Sequence, residues 1–186
     1  MYLADVTRCM ADYARAPGYG EQALNIAREV GSHNAEGWAL YTLGQLNQDL
    51  GNPATARTYF EQALPLFREI GSGSNVMGSL AGLAWAAQAQ GDPAQAQALV
   101  GEILAYLETG RTLVAYARPV WIYLTCYLVL RANGDPHAPT ILANAHRLLQ
   151  EQAARIPDEA LRRSFLENVA ENREIVAEFA RSQMPQ

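Results

Sequence analysis

The segment EQALNIAREVGS at residues 21–32 returns as EQALPLFREIGS at residues 61–72, with eight identities in twelve positions at an offset of 40. The turn Gly51-Asn52-Pro53 follows the same offset to Gly91-Asp92-Pro93, and a looser copy begins at Gly134. A repeat of this length is typical of solenoids, in which each copy is one supersecondary unit. The sequence therefore predicts a stack of similar units.

Each unit is predicted to contain two helices. Leu40, Leu43, Asn47 and Leu50 keep the three- and four-residue spacing of a helix face, and no segment alternates as a strand does. In each turn we expect Gly to end the first helix in a left-handed conformation, Asn or Asp to cap the second, and Pro to take its first position. The predicted helices span residues 2–10, 12–30, 35–50, 53–70, 75–90, 93–108, 119–133, 136–155 and 158–181.

Within residues 37–70, small residues and large apolar residues stand at the positions where the two helices of the unit are expected to touch. These are Leu40, Leu43, Gly44, Gly51, Ala56, Phe60 and Ala63, and the next unit keeps Leu80, Leu83, Ala84, Gly91, Ala96 and Val100. Small Gly44 and Ala56 would let the helices approach while Phe60 fills the groove between them. This pattern resembles the tetratricopeptide repeat family, which implies an all-α fold, a right-handed αα superhelix (a TPR solenoid) with a C-terminal capping helix.

The predicted array comprises about four units within residues 1–156, followed by a capping helix and tail at residues 157–186. The first unit is incomplete. The fourth, starting near Val120, is degenerate, because Tyr127 and Pro139 stand where small residues belong. The chain opens inside what should be the first helix of a unit, so we expect a fragment of a longer protein.

The capping helix is predicted from an amphipathic pattern in residues 158–181. One stripe carries the apolar side chains, and the charged ones lie elsewhere: Leu161, Phe165, Val169, Ile175, Val176 and Phe179 against Arg162, Glu167, Glu171, Arg173 and Glu178. Together with the 40-residue spacing, this ending resembles the C-terminal arrays of large bacterial signalling ATPases and transcription activators. The resemblance implies a cytoplasmic bacterial regulator that acts in signal transduction.

Composition argues against several classes of partner. The chain has 14 Arg, no Lys and 19 acidic residues, with a net charge of -5, and Arg162-Arg163 is its one basic pair. We therefore expect no nucleic-acid partner and no binding to a membrane surface. No apolar run reaches the ~18 residues of a membrane span, and the N-terminus lacks the order of a signal peptide. A cytoplasmic location is predicted.

The sequence contains no recognisable catalytic or metal-binding pattern. His33, His137 and His146 are not grouped with Cys or carboxylates at metal-ligand spacing. Cys9 and Cys126 belong to the first and fourth units, too far apart for a disulfide, and are predicted to be reduced. We expect no enzyme activity, no cofactor and no metal.

The candidate site is the face that the first helix of each unit turns to the hollow of the superhelix. Positions 2, 5, 9 and 12 of each unit place there Trp38, Tyr41, Gln45 and Gln48, then Gly78, Ala81, Trp85 and Gln88, then Trp121, Leu124, Leu128 and Arg131. All three tryptophans lie on this face. They either fill contacts between adjacent helices or, as we predict, form a groove whose aromatic and amide side chains bind a partner.

The predicted binding residues are Trp38, Tyr41, Gln45, Gln48, Trp85, Gln88, Trp121 and Arg131. A clamp for a C-terminal carboxylate is disfavoured, because the family's clamp positions hold Tyr41, Gln45, Gly82, Trp121 and Thr125 instead of Lys, Arg and Asn. The predicted function is a non-catalytic interaction or signal-sensing module with a protein or peptide partner. The alternative is a structural element that mediates homo-oligomerisation through the incomplete first unit or the tryptophan face.

Overall fold

The structure is a computed structural model that describes residues 16–111, 113 and 118–184. This part of the chain contains α-helices and no strand. The helices are α1 (Ala16–Val30), α2 (His33–Asp49), α3 (Pro53–Glu69), α4 (Gly73–Ala89), α5 (Pro93–Glu108), α6 (Pro119–Ala132), α7 (Ala138–Ala154), α8 (Glu159–Asn168) and α9 (Ala170–Ser182). Most predicted helix ends agree to within two residues. The helix predicted at residues 2–10 and the start of the next lie outside the described residues.

The chain divides into two compact units, Met1–Thr109 and Gly110–Gln186. Helices α1 to α5 belong to unit 1 and α6 to α9 to unit 2. In unit 1, α2 packs on α3, α3 on α4 and α4 on α5, so neighbours in sequence are neighbours in space. In the described ranges, no helix is long and apolar enough to cross a membrane.

Glycine ends the helices as predicted. Gly51 has a φ of 72°, its N–H donates to the Gln48 carbonyl at 2.9 Å, and the Asn52 N–H donates to the Asn47 carbonyl at 2.8 Å. These two bonds form a Schellman motif, which requires a left-handed residue that Gly adopts without strain. The same pair of bonds recurs at the ends of four other helices, at Gly31, Gly71, Gly91 and Gly134.

The starts of the helices agree with the prediction only in part. Asp92 accepts a hydrogen bond from the Gln95 N–H at 3.0 Å, and Pro93 begins α5. Asn52 stands at the N-cap of α3 before Pro53, as predicted, but its side chain makes no capping hydrogen bond. The third turn also differs, because the Asp135 carboxylate accepts from the His137 N–H at 2.9 Å and α7 begins only at Ala138, leaving Pro136 outside the helix.

Two aromatic side chains of α3 are buried against the neighbouring helices of unit 1. Phe60 and Phe67 are both 0% exposed. A Cβ at Gly44 would lie 2.7 Å from Phe60 Cε1, and a Cβ at Gly82 would collide with the opposite edge of the same ring. The predicted close approach at Gly44 is therefore confirmed. Phe60 is held between α2 and α4, which come from successive units of the repeat.

The capping segment differs from its prediction. Instead of one helix over residues 158–181, α8 and α9 are separated by Val169, whose backbone is extended (φ -82°, ψ 120°). The Asn172 side chain donates to the Phe165 carbonyl at 2.9 Å and so replaces the main-chain bond that a continuous helix would make there. In α9, Ile175 is buried at 0% exposure, whereas Leu161 on α8 is 64% exposed. Among the described residues, α9 packs on both α6 and α7, whereas α8 contacts α7 alone of these two.

Candidate partner-binding surface

The predicted binding residues of unit 1 lie on α2 and α4, but two of them are buried. Tyr41 is 7% exposed and Gln45 4%. The Gln45 amide donates to the Tyr41 hydroxyl at 3.1 Å. A Cβ at Gly78 would lie 2.6 Å from that hydroxyl, so the Tyr41 side chain packs directly onto the α4 backbone. Tyr41 and Gln45 therefore join α2 to α4 and offer a partner little surface in this conformation.

Trp38 and Trp85 are half-buried and keep part of their rings at the surface. Both pack against the core that contains Phe60 and Phe67. The Trp38 ring meets the Tyr41 ring edge-on at 6.0 Å and the Phe67 ring at 5.9 Å, measured between ring centroids. Each indole is thus fixed on one side by the core, which lowers the entropy cost of presenting its other side to a partner.

Gln48 and Gln88 occupy equivalent positions 40 residues apart, near the ends of α2 and α4. Both residues are half-buried. In each, the amide oxygen is buried and accepts no hydrogen bond from the described residues. A buried acceptor without a donor costs roughly 1–3 kcal/mol. The two glutamines thus carry the same unmet hydrogen-bonding capacity in successive units.

The predicted binding residues of unit 2 lie on α6. Trp121 is 5% exposed, and the Arg118 guanidinium lies 5.4 Å from its ring centroid. The Arg131 side chain is 50% exposed, but its guanidinium forms an ion pair of 2.6 Å with Glu178 of α9. Arg131 is therefore committed to the capping helix in this conformation.

Sequence reasoning missed a buried acid at the centre of this contact. Glu178, predicted on the solvent side, is 6% exposed and accepts a hydrogen bond from the Tyr127 hydroxyl at 2.7 Å. Arg181 adds a second ion pair at 2.9 Å. Burial raises the pKa of Glu178, but the bonds from Arg131 and Tyr127 outweigh it, so that the pKa lies below its usual value. Its spacing of three residues from Ile175 was the available signal, because that spacing places both on one helix face.

Two grooves lie away from the predicted face. One, of about 490 Å³, runs between α1 and α3 and is lined mainly by polar side chains, including Glu21, Arg28 and Gln62. There the Tyr59 hydroxyl donates to Glu21 at 2.5 Å, and burial together with this bond raises the pKa of Tyr59 to about 12. The second groove, of about 380 Å³, is apolar and lies on α1 beside the start of α2.

The three histidines take part in structural contacts. His33 lies 3.2 Å from Glu69, His137 lies 2.8 Å from Asp135, and His146 stacks on the Phe179 ring at 3.9 Å. Within the described ranges, no group of three or more His, Cys, Asp or Glu residues could hold a metal ion. Cys126 is a free, buried thiol whose pKa burial raises to about 12. Cys9 lies outside the described residues.

A family model described as tetratricopeptide repeat matches residues 1–69 and again residues 48–109. The chain belongs to the tetratricopeptide repeat family. Together the two matches reach residue 109, where unit 1 ends, so the predicted fourth unit and the boundary at residues 156 and 157 stay predictions. No curated protein matches the chain significantly.

Solved structures share the fold. BtubC (BKLC) from P. vanneervenii is 19% identical with a TM-score of 0.65, over 97% of this chain and 73% of that one. Two structures of nearly identical TPR-like repeats of a kinesin light chain-like protein from Podosopora anserina are each 17% identical. Their TM-scores are 0.61 and 0.59, over 97% and 99% of this chain and 82% and 95% of theirs. The predicted all-α TPR superhelix is confirmed. Folds of this family generally mediate protein–protein interactions as non-enzymatic scaffolds.

Proposed function

We propose that the chain is a non-catalytic module that binds a protein or peptide segment on the face of α2 and α4 that carries Trp38 and Trp85. The observation that carries this proposal is that Gln48 and Gln88 recur at equivalent positions of successive units, and that each unit adds one tryptophan, at position 2 in the first and at position 9 in the second. Each of the two helices presents a half-buried tryptophan and, toward its end, a glutamine with an unpaired amide oxygen. A partner segment that crosses both helices would meet the same chemistry twice.

The chemistry suits a peptide main chain. Tryptophan contributes large apolar contact area and is enriched among the residues that dominate binding energy at interfaces. A glutamine that turns its amide toward a partner gains from the partner's N–H the bond that its oxygen lacks in the free chain. Tyr41 and Gln45 would act beneath this surface by holding α2 and α4 together.

In unit 2, we propose that Arg131 contributes to the same function, whereas Trp121, at 5% exposure, would act beneath the surface as Tyr41 does in unit 1. Arg131 would contribute by exchanging its contact with Glu178 for one with a partner carboxylate, because half of its side chain is already exposed.

The chain would serve as the partner-sensing part of a larger cytoplasmic bacterial regulator. Sequencing the gene upstream of Met1 tests this context, and an ATPase or DNA-binding module there is the expected result.

Binding can be tested with a displayed random-peptide library selected on the purified chain. A selected peptide is then titrated against the wild type and against Trp85→Ala. We expect Trp85→Ala to weaken binding by about 30-fold, the equivalent of about 2 kcal/mol for an interface hot spot. Arg57→Ala is the control, because Arg57 pairs with Glu61 and Gln90 away from the tryptophan face. Normal binding by Trp85→Ala together with loss in the control would move the site to the outer surface.

The alternative function is self-assembly. It is favoured by a different observation, the exposed apolar groove on α1, and the two functions can coexist because they use different faces of unit 1.

A further inference from the structure

The face of α2 and α4 that carries Trp38 and Trp85 holds no charged side chain. Its positions 2, 5, 9 and 12 are occupied by aromatic, small and amide residues: Trp38, Tyr41, Gln45, Gln48, Gly78, Ala81, Trp85 and Gln88. Helix α4 contains no Asp, Glu, Lys, Arg or His at any position. Burial does not account for this, because the residues of α4 that keep contact with water are uncharged too: Gly73, Ser74, Val76, Trp85, Gln88 and Ala89.

The charged side chains of unit 1 are concentrated on the second helices of the repeat, where they pair with one another. Arg57 and Glu61 of α3 lie 2.7 Å apart, and Arg68 of α3 lies 2.7 Å from Glu102 of α5. Along the outer side of the described part of unit 1, charge is thus met by charge.

Helix α2 has two carboxylates, and both are already engaged. Glu36 forms an ion pair of 2.8 Å with Arg28 of α1. Asp49, the last residue of α2, is exposed to water and takes part in another interaction within the chain. Within the described residues of α2 and α4, no charged group is therefore left to pair with a charge on a partner that covers the tryptophans.

A charged side chain placed on this face would lose its hydration without gaining a counter-ion. Such burial is costly, because the charge is neither paired nor solvated. The amide oxygens of Gln48 and Gln88 can each accept one hydrogen bond, but a neutral dipole replaces little of what water gives a full charge. A neutral N–H of a partner satisfies the same oxygens and leaves no charge unpaired.

We infer that the tryptophan face selects an uncharged partner segment. The partner residues that cross α2 and α4 are apolar or neutral polar, and the face excludes Asp, Glu, Lys and Arg of either sign. The inference rests on the proposed peptide binding and adds its specificity. It concerns unit 1 alone, so a partner carboxylate that meets Arg131 in unit 2 lies outside this segment.

The first test uses peptides selected from a displayed random library on the purified chain. Those whose binding is weakened by Trp85→Ala are kept, because they occupy the tryptophan face. Their dissociation constants are measured between about 0.05 and 0.5 M NaCl, and a change of less than about twofold is expected, because salt screens charge pairs and this interface has none.

The second test replaces each residue of one such peptide in turn by Lys, Glu and Gln. At the positions that contact the face, Lys and Glu are both expected to weaken binding by about tenfold or more, whereas Gln changes little. Loss with both signs is the signature of a neutral face, since a charged site would favour one sign.

The third test places a charge on the face. Gln88→Glu is expected to bind one of the lysine-substituted peptides at least about tenfold more tightly than the wild-type chain does, because the new carboxylate pairs with the lysine. Gln90→Glu is the matched control, since the Gln90 side chain is exposed and accepts a hydrogen bond from Arg57 at 3.2 Å, away from the tryptophans. Circular dichroism checks folding, and Gln48→Glu, at the equivalent position, replaces Gln88→Glu if that variant is unfolded.

Two results would overturn the inference and leave peptide binding intact. One is a Trp85-dependent peptide that loses affinity when a charged residue of its own is replaced by Gln. The other is a lysine-substituted set in which no peptide gains affinity for Gln88→Glu over Gln90→Glu. Peptides that all bind Trp85→Ala normally would contradict the proposed function itself, and the inference with it.

Discussion

Phe60 shows how single residues keep the repeat in register. Its ring is buried against Gly44 of α2 and Gly82 of α4, so both neighbours must lack a side chain. Forty residues later, the smaller Val100 takes the place of Phe60, and the larger Ala84 takes the place of Gly44. Forty residues earlier, Gly20 takes the place of Phe60. The Leu43 side chain fills the space that a larger residue would occupy there, and it lies 2.6 Å from where a Cβ on Gly20 would stand. A larger side chain at one contact position is thus matched by a smaller one at the position that it touches, as close packing requires.

Gly82→Ala is therefore expected to destabilise unit 1. Phe60 cannot move away from the new methyl group because Gly44 already contacts its other edge. Overpacking of this kind costs about 1–3 kcal/mol, and thermal denaturation measures it. Gly101→Ala is the matched control: Gly101 lies within α5 with no atom near its missing Cβ, so alanine should stabilise by about 0.5–1 kcal/mol. Equal midpoints for the two variants would contradict the tight packing of Phe60.

The Gly44–Phe60 pair could be predicted from the sequence, because both stand on packing positions of the 40-residue repeat. The contact of Gly82 with the other edge of the Phe60 ring could not be predicted, since the equivalent of Gly82 one repeat earlier is Thr42. The burial of Tyr41 was missed for a similar reason. A spacing of three and four residues identifies a helix face but does not say how closely the next unit approaches that face.

At the scale of elements, α8 and α9 depart most from expectation. Neither Gly nor Pro marks the break at Val169, so local sequence favours a continuous helix. The break depends instead on tertiary contacts. The Asn172 side chain satisfies the Phe165 carbonyl, while Ile175 and Glu178 dock against their neighbours in unit 2. Such contacts cannot be seen in a window of local sequence.

Docking of α9 is expected to depend on pH through Glu178. Its pKa in the folded chain is lowered, because the bonds from Arg131 and Tyr127 outweigh burial. Its ionised form therefore stabilises unit 2 above the unfolded glutamate pKa of about 4.3, and this contribution is lost as the pH falls through the folded pKa. Hydrogen-exchange protection of α9, measured relative to the intrinsic exchange rate at each pH, should fall over that range of pH.

Glu178→Gln should remove most of this pH dependence and accelerate exchange in α9 already at neutral pH. Charge-assisted hydrogen bonds contribute about 1.5–3 kcal/mol, and partial exposure of Arg131 and Arg181 places the expected loss near the lower end. Glu102→Gln, which removes an exposed pair with Arg68, should change little. If both variants behave alike, Glu178 has no special part in docking α9.

At the scale of the molecule, the family could be predicted because a 40-residue repeat survives substitution at many positions. The division into two compact units at residue 109 could not, since the sequence suggested one array reaching residue 156. It separates the candidate binding residues into two sets, with Trp38 and Trp85 in unit 1 and Trp121 in unit 2.

The two units are expected to unfold with separate stabilities. In repeat proteins each helix pair is stabilised by its neighbours, so a local change propagates only as far as the packing is continuous. Gly82→Ala should lower hydrogen-exchange protection across α2 to α5 and leave α6 to α9 unchanged, because Phe60 packs entirely within unit 1. Glu178→Gln should do the reverse, because its partners Tyr127, Arg131 and Arg181 all belong to unit 2. Exchange resolved by peptide and followed by mass spectrometry measures both. Equal losses of protection in both units for either variant would show that the chain unfolds as one cooperative body, and the units would then be parts of a single folding domain.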